Sequence, residues 1–253
     1  MSTIPMRKPY QGVLQIIEFN WRAYFVTSAF VGMALLASPS MPPLGRAGLV
    51  LGAASALFWM ASSLLVSHYI YDRFPLYNLN WISRALSHIP RRWINIHCGL
   101  DETSSLLAAI FPEAAGQVVD IFAPQIMTET SIKQARRIQR AAIPAKLAHY
   151  DDLLHDANSF DAAFCIFSAH ELRRHQQRLR LFKEIARVLV SGGELVLMEH
   201  SRDWRNLLAF GPGFLHFFSP RAWHTAASGA GLELSSEFSM TSFIRVYILR
   251  RIQ

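Results

Sequence analysis

Two long stretches near the N-terminus constrain this chain more than anything else in it. Residues 23–45 and 47–67 contain no Asp, Glu, Lys, Arg or His, giving uncharged runs of 23 and 21 residues. At about 1.5 Å per residue, either run as a helix crosses a hydrocarbon core of roughly 30 Å. The connector PSMPPLGR (39–46) carries three prolines and a glycine, so the chain must turn there, which predicts a transmembrane helical hairpin. A signal peptide fits poorly, because the first run begins only after twenty-two residues and a second follows at once. The competing reading is a buried helical pair in a soluble domain, although such pairs seldom run this long without a charge.

Arginine placement predicts the orientation. Arg7, Lys8 and Arg22 precede the hairpin and Arg73, Arg84, Arg91 and Arg92 follow it, against Arg46 alone in the turn. Both ends are therefore expected in the cytoplasm, with an integral membrane location such as an inner membrane. VLQIIEFNW (13–21) spaces apolar groups as a helix does and ends on Trp21, which suits either an interfacial helix or a solvated lead-in. The domain expectation is an interfacial segment plus hairpin over 1–72 and a cytoplasmic domain over 73–253. With 51% hydrophobic and 17% charged residues, disorder is excluded. Cys98 and Cys165 form neither a disulfide framework nor a zinc-ligand spacing and read as packing residues.

Beyond residue 92 short apolar runs alternate with amphipathic stretches. Strands are expected at 93–98, 117–122, 161–167, 194–200 and 243–249, and helices at 103–111, 128–139, 174–190 and 220–231. This alternation predicts an α/β fold, a doubly wound and mostly parallel Rossmann-like sheet whose ligands bind beyond the carboxyl ends of the strands.

The segment LFKEIARVLVSGGELVLMEH (181–200) joins a charged amphipathic helix to a buried strand through Ser-Gly-Gly. With SFDAAFCIFSAHEL upstream, it resembles class I S-adenosylmethionine (SAM)-dependent methyltransferases, most closely the ubiquinone and menaquinone biosynthesis branch. The resemblance spans about 93–253. It implies a methyltransferase sheet with a final antiparallel strand at 243–249, SAM as cofactor and methyl transfer as the reaction.

That family carries an acidic residue followed by G-x-G-x-G after the first strand. Here the matching positions hold Asn95, His97, Gly99 and Asp101, so one of three glycines is kept and the loop is atypical. Asp120 falls 21 residues after Gly99, near the spacing at which nucleotide-binding sheets place a carboxylate for ribose hydroxyls. Asp151 and Asp152 lie where the family often contacts the adenine amino group; a solvated loop accounts for them equally well.

At the edge where cofactor and acceptor should meet, His170 and Glu171 follow the fourth strand, and His200 and Asp203 follow the fifth. His170, Glu171 and His200 are the candidate catalytic residues, with His170 the first choice as general base. Convergence of His97, Asp101, His170, Glu171 and His200 on a metal lacks a supporting spacing, and no metal is expected. Phe210, Phe214, Phe217, Phe218 and Trp223 surround a Gly-Pro-Gly turn. They suit a pocket roof, with His216 pointing inward, a dip into the membrane interface, or core packing. The net charge of +7 fits nucleic acid or anionic lipid, but the hairpin and apolar segment favour a hydrophobic phenolic, quinone-like or lipid acceptor over a phosphate backbone. The other readings are a SAM- or nucleotide-binding enzyme of different group-transfer chemistry, and a non-catalytic membrane-anchored scaffold. Oligomeric state is not legible.

Overall fold

A computed structural model describes residues 8–138 and 143–252. Arg7, one of the orientation-setting charges, and Gln139, the end of one expected helix, lie outside them. The chain divides into two compact units. One contains Leu76–Asp203 and the described residues of Leu215–Gln253, and the other contains the described residues of Arg7–Pro75 together with Trp204–Phe214.

The larger unit is one seven-stranded sheet. Its strands are β1 (Arg92–His97), β2 (Ala115–Asp120), β3 (Lys146–Leu147), β4 (Phe160–Ile166), β5 (Leu189–His200), β6 (Leu232–Ser239) and β7 (Ile244–Arg251). They lie in the order β3-β2-β1-β4-β5-β7-β6. The first five run parallel, and β7 pairs antiparallel with both β5 and β6. The expected strands are all present within a few residues. β6 was missed because its sequence, LELSSEFS, is largely polar and exposed at the sheet edge, and β3 because it is two residues long.

Both sheet faces are buried, as parallel strands joined by helical crossovers require. On one face Ile94, Ile96, Ala163, Cys165, Leu195 and Leu197 form a core with Phe182 and Ile185 and with Trp223 and Ala226. Those four residues come from helices α6 (His175–Val188) and α8 (Pro220–Ser228), while α5 (Thr130–Ile138) contributes Ile132. On the other face Phe164 meets Trp93 edge-on and stacks on Phe111, next to α4 (Ser104–Ile110). The glycine pair 192–193 has a local task. The partner of β5 jumps from Phe160–Leu189 to Ala162–Glu194, and Gly192 absorbs the looped-out residues at φ +76°.

The smaller unit is built on two long helices, α1 (Gln11–Ala37) and α2 (Pro43–His68). Asn20 interrupts α1 with non-helical angles (φ −119°, ψ 16°) and donates from its side chain to Ile16 O at 3.0 Å. A first helix is thereby separated from the apolar run just where Trp21 was expected to mark a border. Asp72 closes the unit at its other end, accepting from the backbone N–H groups of Gly12 at 2.6 Å and Val13 at 3.1 Å. It thereby satisfies donors that the start of a helix leaves free. Both helical segments are long and apolar enough to cross a membrane. Their apolar side chains are largely exposed: only Ala53 and Ser67 of α2 are buried. Helix α7 (Trp204–Phe210) packs on α2, with Ser62 Oγ donating to Leu208 O at 3.3 Å. The remaining short helix, α3 (Ile82–Ala85), belongs to the larger unit.

Candidate active site

The carboxyl ends of β1, β2, β4 and β5 meet along one edge of the sheet. His97 and Asp120 are register partners at the ends of β1 and β2. Beyond β1, the loop is ordered by hydrogen bonds where glycines were expected. Asp101 Oδ1 accepts from the backbone N–H of Thr103 at 3.1 Å and of Ser104 at 2.9 Å, and so caps the start of α4. Buried Asn95 donates to Ser104 Oγ at 2.8 Å and Thr103 Oγ1 at 3.0 Å. Asn95 and Asp101 therefore build the loop itself.

His97 and Gly99 behave differently. His97 Nδ1 accepts from Gly99 N at 2.9 Å, which leaves the proton of the neutral ring on Nε2, a buried atom with no partner among the described residues. Burial lowers the His97 pKa, and Arg136 adds to this while Asp101 and Asp120 oppose it. Gly99 sits at φ +113° beneath the side chain of Arg136; a Cβ there would come within 2.0 Å of Arg136 Nη1. Only glycine accommodates both the angle and the close approach.

Arg136, from α5, is a residue that sequence reasoning missed. Its Nη1 donates to Asp120 Oδ2 at 2.6 Å and to Cys98 O at 3.1 Å, and its guanidinium lies 4.2 Å from the centre of the Phe122 ring. The other carboxylate oxygen of Asp120 accepts from Phe122 N at 3.0 Å. A strand-end carboxylate is thus present and buried, with a cation from the neighbouring helix on it. Nothing in an exposed-looking helical TSIKQARRI distinguishes Arg136 from Arg137; only the fold does. Asp151 pairs with His149 and, at 3.6 Å, with Arg180. Asp152 accepts from Leu154 N, closing a turn.

A second cluster forms beyond β4 and β5. Phe167, at φ +52°, reverses the chain after β4 so that residues 169–171 make a single helical turn. Glu199, near the end of β5, accepts from His170 Nδ1 at 2.7 Å and from His170 N at 3.2 Å, fixing both ring and backbone. On the other side His170 Nε2 lies 3.4 Å from Glu171 Oε1. Glu171 Oε2 is buried and has no partner among the described residues. The His216 ring stands edge-on to His170, with centroids 5.0 Å apart. Arg173 Nη1 ties the two segments together, donating to His170 O at 3.1 Å and to His216 O at 2.5 Å.

Charge in this cluster is divided unevenly. Burial alone would lower the His170 pKa, but the charge of Glu199 and hydrogen bonds to Glu171 and Glu199 outweigh it and raise it to about 10. His216, buried and beside that cation, is pushed down to about 3 and stays neutral. Burial would raise the Glu171 pKa, yet the His170 hydrogen bond and charge, helped by His216 and Arg173, bring it below the ordinary value.

Of the expected catalytic residues, the structure brings His170 and Glu171 together and supplies Glu199 as their anchor. His200 is instead buried between aromatic rings, stacked on Phe217 at 4.6 Å and tilted against Phe167 at 5.4 Å. The aromatic segment also divides. Phe218 and Trp223 are core residues, which settles them as packing, whereas Phe210 and Phe214 belong to the smaller unit. Cys98 and Cys165 are free, buried thiols whose pKa values burial raises, that of Cys165 to about 12; both bond to Ser168 and are inert.

Residues 95–197 match the family model of a methyltransferase domain. Solved structures share the fold at low identity. A SAM-dependent methyltransferase from Methanosarcina mazei is 19% identical, with a TM-score of 0.51 over 68% of this chain and 97% of that one. Human N-acetylserotonin methyltransferase, solved in complex with SAM, is 11% identical, with a TM-score of 0.53 over 94% of this chain and 70% of that one. The [4+2]-cyclase SpnF is 15% identical, with a TM-score of 0.51 over 70% and 80%. No curated protein sequence matches the chain. The larger unit therefore has the fold of class I SAM-dependent methyltransferases.

Proposed function

We propose that the protein is a membrane-integrated SAM-dependent methyltransferase acting on a hydrophobic acceptor, with its catalytic domain on the cytoplasmic side. The observation that carries this reading is the alignment, along one carboxyl edge of a methyltransferase sheet, of a cofactor-type position (Gly99, His97, Asp120) with a buried His-Glu cluster (His170, Glu171, Glu199).

The residues suit SAM on three counts. Gly99 leaves room beside the backbone once the Arg136 side chain that now covers it moves away, His97 Nε2 is a buried donor with no partner among the described residues, and Asp120 is a strand-end carboxylate whose Oδ2 is held by that same movable side chain. Asp120 would hold the ribose hydroxyls and Gly99 would admit the cofactor beside the backbone. When bound, SAM supplies an electrophilic methyl group. The chain's own task is then to hold an acceptor in line and manage its proton. Glu171 Oε2, buried and unpartnered, can accept a hydrogen bond from an acceptor hydroxyl, and the Glu199–His170 pair fixes the ring beside it.

A hydrophobic acceptor and membrane insertion are favoured by the two exposed apolar helices and by residues 204–214, which leave the larger unit and pack with those helices. Length and apolarity support integral insertion, and the arginine asymmetry supports the cytoplasmic side. A different group-transfer chemistry is the second reading. It is favoured by the Arg136 cation on Asp120 and by the fold's compatibility with a cyclase. Calorimetric titration of the detergent-purified protein with SAM tests the proposal. One-to-one binding supports it, and heat indistinguishable from dilution at millimolar SAM refutes it.

A further inference from the structure

We infer that His170, Glu171 and His216 form a divalent transition-metal site, with a zinc-type ion as the best match to the donors. The inference builds on the acceptor site just proposed, because the ion would sit where the acceptor oxygen is received. One ligand atom from each residue lies within 4.8 Å of the others. His170 Nε2 and Glu171 Oε1 are 3.4 Å apart, and two ligands of one tetrahedral zinc, each about 2.0–2.1 Å from it, stand roughly that far apart.

Two further observations separate this cluster from a chance grouping. Glu171 is 7% exposed, and its Oε2 makes no hydrogen bond among the described residues, a costly state for a buried carboxylate oxygen unless a ligand completes it. His170 has its Nδ1 fixed by Glu199, whose side chain is 1% exposed, so Nε2, which faces Glu171 Oε1, is the atom that would give up its proton to coordinate. A carboxylate behind a histidine ligand is the arrangement that sets tautomer and ring direction at metal centres. The third ligand is held in place by the Arg173 bond to both His170 O and His216 O. Glu129 Oε1, 3.9 Å from His216 Nδ1, adds a nearby negative charge against Arg173.

Three protein ligands leave a fourth position for water or an acceptor oxygen, as zinc sites that do chemistry do. A phenolic or enolic acceptor held there by its oxygen would pass its proton to solvent more readily, with the ion as Lewis acid; its attack on the SAM methyl would form the new bond to carbon as the sulfonium S–C bond breaks and S-adenosylhomocysteine leaves. The site draws on residues 170, 171 and 216, whose separation gives no short ligand motif. That is why sequence spacing argued against a metal.

The test is zinc binding by the full-length, tag-free protein in detergent, stripped with chelator and then titrated with Zn²⁺ against a competing chelator. Cobalt(II) spectra report the geometry. One equivalent at micromolar affinity or tighter is expected. Glu171→Gln and His216→Ala should each weaken it by about a hundredfold and abolish the tetrahedral cobalt spectrum, and Glu199→Gln should weaken it about ten- to a hundredfold. His224→Ala, at a histidine paired with Glu237 outside the cluster, should leave it unchanged. Thermal unfolding of each metal-free variant identifies any that fail to fold, and the remaining variants decide. Absence of stoichiometric zinc in the wild type overturns the inference, as does full retention in the folded Glu171 and His216 variants. SAM titration of the same samples keeps the two ideas apart. SAM binding without zinc sinks only the metal site, whereas zinc binding without SAM sinks the methyltransferase reading.

Discussion

Replacing Arg136 with alanine should tighten SAM binding, which is the opposite of what removing a residue from a binding cleft usually does. In the protein as described, Arg136 donates to Asp120 Oδ2 at 2.6 Å and to Cys98 O at 3.1 Å, over the Phe122 ring. A hydrogen bond between charged groups contributes about 1.5–3 kcal/mol, and a cation over an aromatic ring adds about 0.5–1 kcal/mol. A ribose that takes Asp120 must displace both. Allowing for the hydration that the freed guanidinium regains, the net cost is on the order of 1.5–3 kcal/mol, or about ten- to a hundredfold in affinity. Arg136→Ala removes that cost. It also leaves the buried Asp120 Oδ2 unpaired until ligand arrives, destabilising the free protein by about 1–3 kcal/mol, roughly 2–10 °C in Tm for a domain of this size. Calorimetry at fixed ionic strength, paired with thermal unfolding with and without SAM, reads both effects. The expected pattern is tighter binding, a lower Tm without SAM and a larger Tm rise with it. Asp120→Ala should weaken binding tenfold or more, and the double variant separates coupling from independent effects. Affinity unchanged or weaker in a folded Arg136→Ala variant would refute the displacement argument and make Arg136 a ligand of the bound molecule.

Other consequences are as direct. Reporter fusions in the turn at Arg46 and after the C-terminal residue should read opposite sides of the membrane, and the same side for both would reject the hairpin. His170→Ala should cut transfer of a radiolabelled methyl group into a membrane lipid extract about a hundredfold with SAM affinity little changed, because the lost contacts belong to the acceptor side; equal loss of both would make His170 a support for the pocket. His200→Ala should act on stability instead, through the lost stacking on Phe217 and Phe167, lowering Tm while SAM affinity holds.

What could be read from the sequence divides by the kind of signal each feature leaves. Alternation of apolar strands and amphipathic helices is a local, periodic property, so the five strong strands and the crossovers were legible at once. The β6 edge strand was not, because exposure relieves it of any need for apolar residues. Asp120 could be singled out as a strand-end carboxylate because its position depends on a short, nearly fixed distance along the chain from Gly99. Arg136 and Glu199 were missed for the converse reason. Arg136 is one of several cations on an outwardly polar helix, and its selection depends on how α5 docks over β1 and β2. Glu199 hides inside LVLMEH beside a more conspicuous histidine, and the alternation of β5 sends the two side chains to opposite faces. The less conspicuous residue holds His170, and the conspicuous one stacks against Phe217.

The atypical loop after β1 takes on a physical sense once these contacts are known. Glycines at positions 97 and 101 would leave the loop bare and dependent on ligand for its order. Here Asp101 caps α4, Asn95 binds the hydroxyls of Thr103 and Ser104, and the His97 ring closes on Gly99 N, so the loop is shaped without a ligand. Gly99 is retained where the departure could not be tolerated, at positive φ and beneath the Arg136 side chain. A loop ordered in advance loses less conformational freedom on binding. Held against that gain is the Arg136–Asp120 bond that a ligand must break. If SAM binds as proposed, the departure from the glycine pattern moves the determinant of affinity from loop flexibility to a single displaceable cation, and Arg136, rather than the missing glycines, is the position whose substitution tests it.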